Sequence, residues 1–278
     1  MNKLSFAIGI LSWKGYDSLE NSLFSYKKYG LSDMTDQKFV CLPEYSEEGI
    51  KIAEKYNYKP ILIDQNLGIL GGFKLLAENM PQGPILLLEN DLELIENKKE
   101  TYSQLEKSID LLNEHRLIQV RLRSIKNPGE PFVGLKKYKS YWSDNIIART
   151  KRLLRPFKAH RLIGTSIYCC EEPDKIHPNV VKKIDRSFYL VTSSVLNWAN
   201  LAILVDRDVY LQTIIKKAEQ TKSKKQINGF KNIEIELNNS WWLKNEFKII
   251  VASGLFKHNR SEERRVGKEC RSRWSPYH

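Results

Sequence analysis

A cluster of acidic side chains directly follows an apolar stretch in the first third of the chain. The residues from Ile85 to Leu88 are apolar, and Glu89, Asn90 and Asp91 come straight after them. A buried strand that ends in carboxylates brings negative charge to the edge of an α/β sheet. Close carboxylates repel one another unless a cation lies between them. The segment therefore predicts a site for a divalent ion, of the kind that enzymes use to hold a diphosphate.

Polar residues also follow the three apolar strands that we predict upstream. The three strands lead into Ser12-Trp13-Lys14, Glu44-Tyr45-Ser46 and Asn66-Leu67-Gly68, respectively. In a doubly wound sheet, ligands bind outside the carboxyl ends of the strands. Four polar strand ends at one edge therefore predict a ligand site there.

The elements that must position these residues alternate between strand and helix. The predicted strands span residues 4–13, 38–42, 60–64 and 84–89. For the helices between them, Asp17 and Ser46 are the predicted N-caps, and Gly71-Gly72 opens the third. Four strands and three helices with short connections imply a parallel sheet covered by helices.

The later part of the chain gives a weaker pattern. We predict a helix over 97–115, a partly helical segment over 202–217, and strands over 117–122, 188–195, 233–237 and 247–253. The stretch from Asn127 to Arg161 is basic, aromatic and irregular, and is predicted to be a mobile insert. Residues 261–278 resemble a translated vector scar and are predicted to be non-native or disordered. The predicted organisation is residues 1–125 as one half of a domain, residues 126–260 as the other half with the basic insert at 126–161, and then the tail.

Charge is concentrated in the insert region. The chain has 278 residues and a net charge of +12, and the segment from Arg121 to Arg161 holds twelve lysines and arginines but two acidic residues. This local excess of positive charge indicates either an anionic partner or a solvated surface. No apolar run approaches the roughly 18 residues needed to span a bilayer, and the four cysteines show neither metal-ligand spacing nor a disulfide framework. We predict a cytoplasmic protein. The alternative is a protein that also makes peripheral contact with an anionic membrane.

Taken together, the strand ends resemble those of GT-A glycosyltransferases, and family 2 in particular. The motifs that carry the resemblance are Ser12-Trp13-Lys14, then Glu44, Ser46 and Glu48, then Asn66, Gly68 and Gly71, and finally Glu89-Asn90-Asp91 in place of Asp-x-Asp. The resemblance covers residues 4–95 well and the rest in outline. It implies an α/β GT-A fold, with a mostly parallel sheet flanked by helices and a C-terminal acceptor-side region.

The resemblance also implies roles for single residues. A nucleotide-diphosphate sugar would contact Ser12, Glu44, Asn66, Gly68, Gly72 and Glu89. Asp91 would be a ligand of Mn²⁺ or Mg²⁺, and His258, which follows the last apolar strand, would be a second ligand. The alternatives are an acidic turn for Glu89 and Asp91, and an ordinary surface histidine for His258.

The catalytic base is predicted in the segment Ile233 to Trp242. If residues 233–237 form a strand, Glu234 and Glu236 share one face, and a helix begins just after them. The segment resembles the acidic motif that supplies the base in inverting GT-A enzymes. We predict Glu236 as the base and Glu234 as the second choice, against the alternative of two solvent-facing glutamates. Trp242 is predicted as core, with sugar stacking as its alternative role.

The favoured function is a metal-assisted, inverting glycosyltransferase that takes a UDP-sugar and transfers the sugar to a glycan, a lipid-linked or a protein acceptor. A sugar-phosphate nucleotidyltransferase is the second hypothesis, although the chain lacks a glycine-rich Arg/Lys loop after the first strand. A third is a non-enzymatic protein that binds nucleic acid or an anionic surface, because aromatic residues alternate with lysines around residues 132–142. Specific nucleic-acid binding is not part of the favoured function.

Overall fold

The computed structural model describes residues 3–130, 132–223 and 225–259. The predicted tail, residues 261–278, lies outside the described residues. The strands are β1 (Ala7–Leu11), β2 (Lys38–Pro43), β3 (Lys59–Ile63), β4 (Pro84–Glu89), β5 (Leu92–Leu94), β6 (Gln119–Arg123), β7 (Gly129–Glu130), β8 (Lys182–Lys183), β9 (Phe188–Thr192), β10 (Ile203–Asp206) and β11 (Lys248–Asn259).

These strands form one mixed sheet of eleven strands in the order β3-β2-β1-β4-β10-β6-β11-β9-β8, with β5 and β7 paired to β11. The four N-terminal strands β1 to β4 are parallel, as predicted. The short strand β10 runs antiparallel to both β4 and β6 and joins the two parts of the sheet. Its residues fall in the segment 202–217 that the sequence predicted as partly helical, because a four-residue apolar run carries no periodicity of its own.

Helices cover both faces of the sheet. They are α1 (Tyr16–Lys28), α2 (Glu47–Lys55), α3 (Gly68–Glu78), α4 (Lys98–His115), α5 (Val133–Trp142), α6 (Ile146–Leu154), α7 (Pro156–His160), α8 (Pro173–Ile176), α9 (Arg207–Val209), α10 (Lys216–Gln220), α11 (Ile233–Leu237) and α12 (Ser240–Lys244). Short 3₁₀ helices span Leu31–Asp33 and Ile163–Tyr168, and a π-helical turn, Tyr210–Ile215, joins α9 to α10.

Each face of the sheet has its own apolar core. One core contains Leu19, Leu23 and Tyr26 of α1 beneath the even-numbered residues of β1. The other contains Phe73 of α3 together with the fully buried Trp242, which is therefore a core residue. Because helices cover both faces of these strands, their sequences are continuous apolar runs and do not alternate between apolar and polar residues.

Local chemistry explains where several helices begin. Ser46 caps α2 as predicted and accepts a hydrogen bond from the Gly49 amide at 3.3 Å. The predicted cap at Asp17 is wrong, because the N-cap is Gly15, two residues earlier and in a left-handed conformation, and α1 begins at Tyr16. The prediction that Gly71-Gly72 opens the third helix is also wrong, since α3 begins at Gly68.

The basic insert is helical, in contrast to the irregular segment that the sequence predicted. Its aromatic rings pack inward: Tyr138 and Tyr141 are buried, and Phe132 packs edge-on against Tyr168 with ring centroids 5.0 Å apart. These rings stabilise the helices, so they are not free to stack on bases. This packing removes the observation that supported the nucleic-acid hypothesis.

Among the described residues, no helix combines the length and the apolar character that a bilayer-crossing segment requires.

Candidate functional site

A cleft of about 540 Å³ opens at the carboxyl ends of β1, β2 and β4. Its volume lies within the range of small-molecule sites. The residues that line it are Leu11, Trp13, Pro43, Asn66, Gly68, Ile69, Glu89 and Asn90 on the sheet side, and Ile227, Asn228, Phe230, Lys231 and Asn232 on the opposite wall. Three of the predicted donor-site residues, Asn66, Gly68 and Glu89, therefore line one cleft.

The turn before α3 shapes one side of this cleft. The Asn66 side-chain oxygen accepts a hydrogen bond from the Gly68 amide at 2.7 Å, an Asx turn that starts the helix. Gly68 has a positive φ of 64°, and a Cβ there would lie 2.4 Å from Phe230. Gly72 instead faces Leu11, where a Cβ would come within 2.7 Å of the side chain. The structure thus places Gly68 at the cleft and Gly72 in the packing of α3 on β1.

The residues after β1 divide between core and cleft. The Ser12 side chain is buried, and its hydroxyl has no hydrogen-bond partner among the residues described. Trp13 lines the cleft, and its indole N–H donates to a Glu44 carboxylate oxygen at 2.6 Å. Lys14 approaches the same oxygen at 3.2 Å. The indole hydrogen bond, followed by that of Lys14, lowers the pKa of Glu44. Glu44 therefore acts here as a support for the Trp13 ring.

Asp91 lies against His258, two residues that are far apart in sequence. The His258 Nε2 atom is 3.3 Å from Asp91 Oδ2, and both side chains are buried. The pairing of β5 with β11 sets this distance, since His258 is opposite Leu92 and the Asn259 amide donates to the Asp91 carbonyl at 2.8 Å. The other carboxylate oxygen of Asp91 and Nδ1 of His258 are buried without a partner in the described part of the chain.

The Asp91 carboxylate and the Nε2 atom of His258 face each other in a buried place, and an oxygen beside a ring nitrogen suits a divalent cation. The unpaired Asp91 oxygen offers a further ligand atom. Within residues 3–130, 132–223 and 225–259, no group of three or more His, Cys, Asp and Glu side chains converges on a metal-sized site. Any cation at Asp91 and His258 would therefore take its remaining ligands from bound substrate and water.

Strand β11 reaches His258 through a register break. Pairing with β6 shifts between Val251 and Phe256. Gly254 has a positive φ of 89° in this break, and a Cβ there would lie 2.3 Å from the Arg123 carbonyl oxygen. Only glycine permits this close approach. The break allows one strand to continue along β6 and then pair with β5, which brings His258 to the site.

The predicted strand over 233–237 is wrong: these residues form α11. Asn232 caps this helix by accepting from the Glu234 and Ile235 amides at 2.9 and 3.4 Å. On a helix, residues two apart point to different sides, so Glu234 and Glu236 do not share a face. Glu236 is buried and accepts a hydrogen bond from the Ser223 hydroxyl at 2.6 Å.

Glu234 lies on the side of α11 that faces the site. Its carboxylate accepts a hydrogen bond from the Asn200 amide at 3.1 Å. Desolvation raises its pKa, while the Asn200 bond and then the charges of Arg121, Arg123 and His258 act in the opposite direction. The carboxylate is thus within electrostatic reach of His258, one of the two side chains at the candidate metal site.

Two buried arginines on β6 complete the site, and they were not among the residues predicted from the sequence. Arg121 donates to the Asn197 carbonyl, and its Nε atom has no partner among the described residues. Arg123 donates to the carbonyls of Pro128 at 2.6 Å and Gly129 at 3.1 Å, and its guanidinium lies 4.3 Å from the centre of the Phe132 ring. Burial lowers the pKa of both arginines.

The signal for these arginines was present in the sequence. Arg121 and Arg123 alternate with Val120 and Leu122, so both point to the same face of a strand whose other face is apolar. Two charged side chains on a strand that is buried on both faces are costly unless they have partners, so they mark a site.

The sequence matches no protein-family model, and no curated protein matches it. Solved structures do match. The chain is similar to residues 1–349 of TarS from S. aureus in complex with UDP-GlcNAc, with a TM-score of 0.51 and 11% identity over 93% of this chain and 59% of that one. A longer TarS structure from S. aureus matches with a TM-score of 0.51 and 15% identity, over 94% of this chain and 37% of that one.

A cytidylyltransferase from Leptospira borgpetersenii serovar Hardjo-bovis covers 45% of this chain and 58% of its own at 18% identity, and its TM-score of 0.34 is too low to bear on the fold. The likeness to TarS across nearly the whole chain shows that this protein has a GT-A-like fold. The predicted fold class is thereby confirmed. The chain spans 59% of the TarS 1–349 length.

Proposed function

We propose that this protein is a glycosyltransferase that moves a sugar from a UDP-sugar donor to a hydroxyl group of an acceptor. The observation that carries the proposal is that Glu89 and Asn90 from the end of β4 line one 540 Å³ cleft with Asn232 at the start of α11. Asp91, which contacts His258, follows Asn90 directly, and Glu234 lies two residues after Asn232. The GT-A-like fold supports it, and so does the UDP-GlcNAc bound to one TarS structure. The acceptor class, the choice of uridine and an inverting outcome belong to this proposal.

In this proposal the nucleotide occupies the cleft. The half-exposed Trp13 ring, held by Glu44, offers a face on which a base can stack. Glu89 at the end of β4 lies in the same cleft and would contact ribose or sugar. Asp91 and His258 would hold Mn²⁺ or Mg²⁺. When bound, the ion would neutralise negative charge on the diphosphate leaving group.

Glu234 is our choice for the general base, ahead of Glu236. A base must reach the acceptor hydroxyl, and Glu234 faces the site whereas Glu236 bonds to Ser223 inside the fold. A raised pKa makes the Glu234 carboxylate a stronger base than an ordinary glutamate. The charges of Arg121 and Arg123 oppose that rise in pKa and so favour the ionised form that a base requires. A carboxylate that deprotonates the acceptor for direct attack on the anomeric carbon leads to inversion.

The test is turnover of a panel of UDP-sugars, followed as UDP release with Mn²⁺ present, with and without candidate acceptors. We expect UDP release from at least one UDP-sugar and its loss in Glu234→Gln with donor binding retained. Pyrophosphate-dependent turnover of the same sugar nucleotide to UTP, with no transfer, would instead indicate a nucleotidyltransferase and overturn the proposal.

A further inference from the structure

The insert exposes several large apolar side chains to solvent, which is unusual for a protein surface that contacts only water. Ile146, Ile147, Leu153, Leu154 and Phe157 are 80%, 67%, 82%, 76% and 86% exposed. These five residues, called the insert face below, lie close together in sequence on α6 and α7. Isolated exposed apolar residues are ordinary, but a cluster of this size marks an interaction surface.

The helical geometry of α6 separates an inner from an outer side. Ala148 is buried against the rest of the insert, and Arg152 donates to the Tyr141 carbonyl at 2.5 Å. At 3.6 residues per turn, the two isoleucines and two leucines of the insert face fall within an arc of about 120° on the opposite side. The outer side of α6 is therefore an apolar stripe, interrupted at its middle by Thr150, whose hydroxyl donates to the Ile146 carbonyl at 3.0 Å.

Cations border this stripe on both sides. On the same helical wheel, Arg149 follows one edge of the stripe and Lys151 the other, and both are exposed. Arg155 and the exposed Lys158 flank Phe157 in the same way. Residues 132–161 hold nine lysines and arginines against the single acidic residue Asp144.

We propose that the insert face docks on an anionic lipid bilayer. An apolar stripe flanked by Lys and Arg is the pattern of helices that lie in the plane of a membrane interface, with the apolar side chains among the acyl chains and the cations at the headgroups. A second copy of the chain fits poorly, because a symmetric contact would place two strongly basic surfaces against each other. The inference does not depend on the proposed enzymatic function.

The insert is joined directly to the candidate site. Phe132, at its start, packs against Arg123, and Arg161, at its end, donates to the Asn197 side chain at 3.3 Å. The insert is therefore attached at both ends to residues around the buried arginines of β6.

The experiment is co-sedimentation of the full chain with vesicles of phosphatidylcholine alone and of phosphatidylcholine with phosphatidylglycerol in equal parts. We expect binding to the anionic vesicles and a weaker affinity at high salt. The double variant Leu153→Ser/Leu154→Ser is expected to lower that affinity by about tenfold or more, because it removes two leucine side chains that would be buried in the bilayer on docking. The pair Arg149→Gln/Lys151→Gln should also weaken it and reduce its salt dependence.

The matched control is Phe24→Ser on α1, which removes an apolar side chain that is 56% exposed outside the insert. It should leave vesicle binding unchanged. All these side chains face solvent, so thermal unfolding of each variant should match that of the unmodified protein. Three results would each overturn the proposal: no binding to anionic vesicles, binding that the leucine variant leaves intact, or concentration-dependent self-association through the insert face without vesicle binding.

Discussion

At the scale of single residues, the proposed chemistry depends on which carboxylate faces the acceptor. Glu234 and Glu236 have the same chemistry and differ in their surroundings. Glu234 bonds to the Asn200 amide and lies near Arg121 and Arg123, whereas Glu236 is buried against Ser223. Environment rather than residue type therefore separates the proposed base from the carboxylate that bonds inside the fold.

Glu234→Gln is expected to lower kcat for sugar transfer by about a hundredfold or more, because it removes the general base but keeps the side-chain shape. Glu236→Gln is the matched control: it preserves an oxygen for the Ser223 hydroxyl and should retain near wild-type turnover. Steady-state kinetics of the two variants decide between them. A large loss in Glu236→Gln with activity retained in Glu234→Gln would reverse the assignment.

The raised pKa of Glu234 also predicts how stability depends on pH. The folded protein binds this proton more tightly than the unfolded chain, so ionised Glu234 costs stability above its raised pKa, and the cost vanishes below the unfolded value. Glu234→Gln should therefore gain in Tm relative to wild type as pH rises from about 4 to 8. Thermal unfolding across this range measures the difference. A difference in Tm between Glu234→Gln and wild type that stays constant with pH would show that the pKa of Glu234 is not raised.

Arg121 should affect catalysis through Glu234. Its charge lowers the pKa of that carboxyl, so Arg121→Gln is expected to move the acidic limb of the kcat/KM profile to higher pH, whereas Arg121→Lys should move it less. If the limb moves by about one pH unit, the rate at a fixed pH on that limb falls about tenfold. An acidic limb that stays in place in a folded Arg121→Gln protein would exclude this role.

At the scale of elements, the site depends on a few places where the backbone approaches another element closely. The turn before α3 meets Phe230 at Gly68, and the bend of β11 meets β6 at Gly254. The first contact brings the two walls of the cleft together, and the second carries His258 to Asp91. Both require glycine, so substitutions there should alter the site as well as the stability.

Gly68→Ala is expected to lower the free energy of unfolding by about 3 kcal/mol, since it adds a strained positive φ and a clash with Phe230. Gly229→Ala is the matched control: φ is also positive there, at 83°, but no atom lies within 4 Å of the new Cβ, so the loss should be about 1 kcal/mol.

Denaturant unfolding measures both losses. The donor affinity should fall only in Gly68→Ala. A second change, Phe230→Gly, removes the Cβ that lies 2.4 Å away and should recover part of the stability lost in that variant. Equal losses in the two alanine variants would show that the contact between the cleft walls contributes nothing.

The strands before residue 90 could be predicted from the sequence, whereas helices α5 to α8 and α11 could not. Apolar runs bounded by turn residues identified β1 to β4 and the polar residues at their ends. The segment from Ile233 to Leu237 alternates like a strand, but the Asn232 cap and packing at Ile233 and Leu237 make it a helix. Local alternation cannot reveal such a tertiary contact.

The same reason explains which site residues were found. The contact between Asp91 and His258 was anticipated only through the family resemblance, because their proximity depends on the pairing of β5 with β11. Arg121 and Arg123 were overlooked because they were counted as part of the basic surface rather than as inward positions of β6. Exposure of the insert face could not be read from the sequence, since α6 has the same amphipathic pattern whether its apolar side packs inward or outward.

At the scale of the whole molecule, function follows from one sheet that joins two differently built parts. The parallel strands β1 to β4 supply one wall of the proposed donor cleft. Beyond the antiparallel β10, strands β6 and β11 supply the arginines and His258, and α11 supplies Glu234. The proposed reaction takes place where these parts meet.

The measurement that tests the proposed function most directly is calorimetric titration of UDP into the folded protein, with Mn²⁺ and with a chelator, repeated on Asp91→Asn. We predict that UDP binds, that Mn²⁺ tightens binding by about tenfold or more, and that Asp91→Asn removes the effect of Mn²⁺. UDP binding that is the same with and without Mn²⁺ in both proteins would contradict the metal site. Absence of UDP binding by folded protein in every condition would contradict the proposed function as a whole.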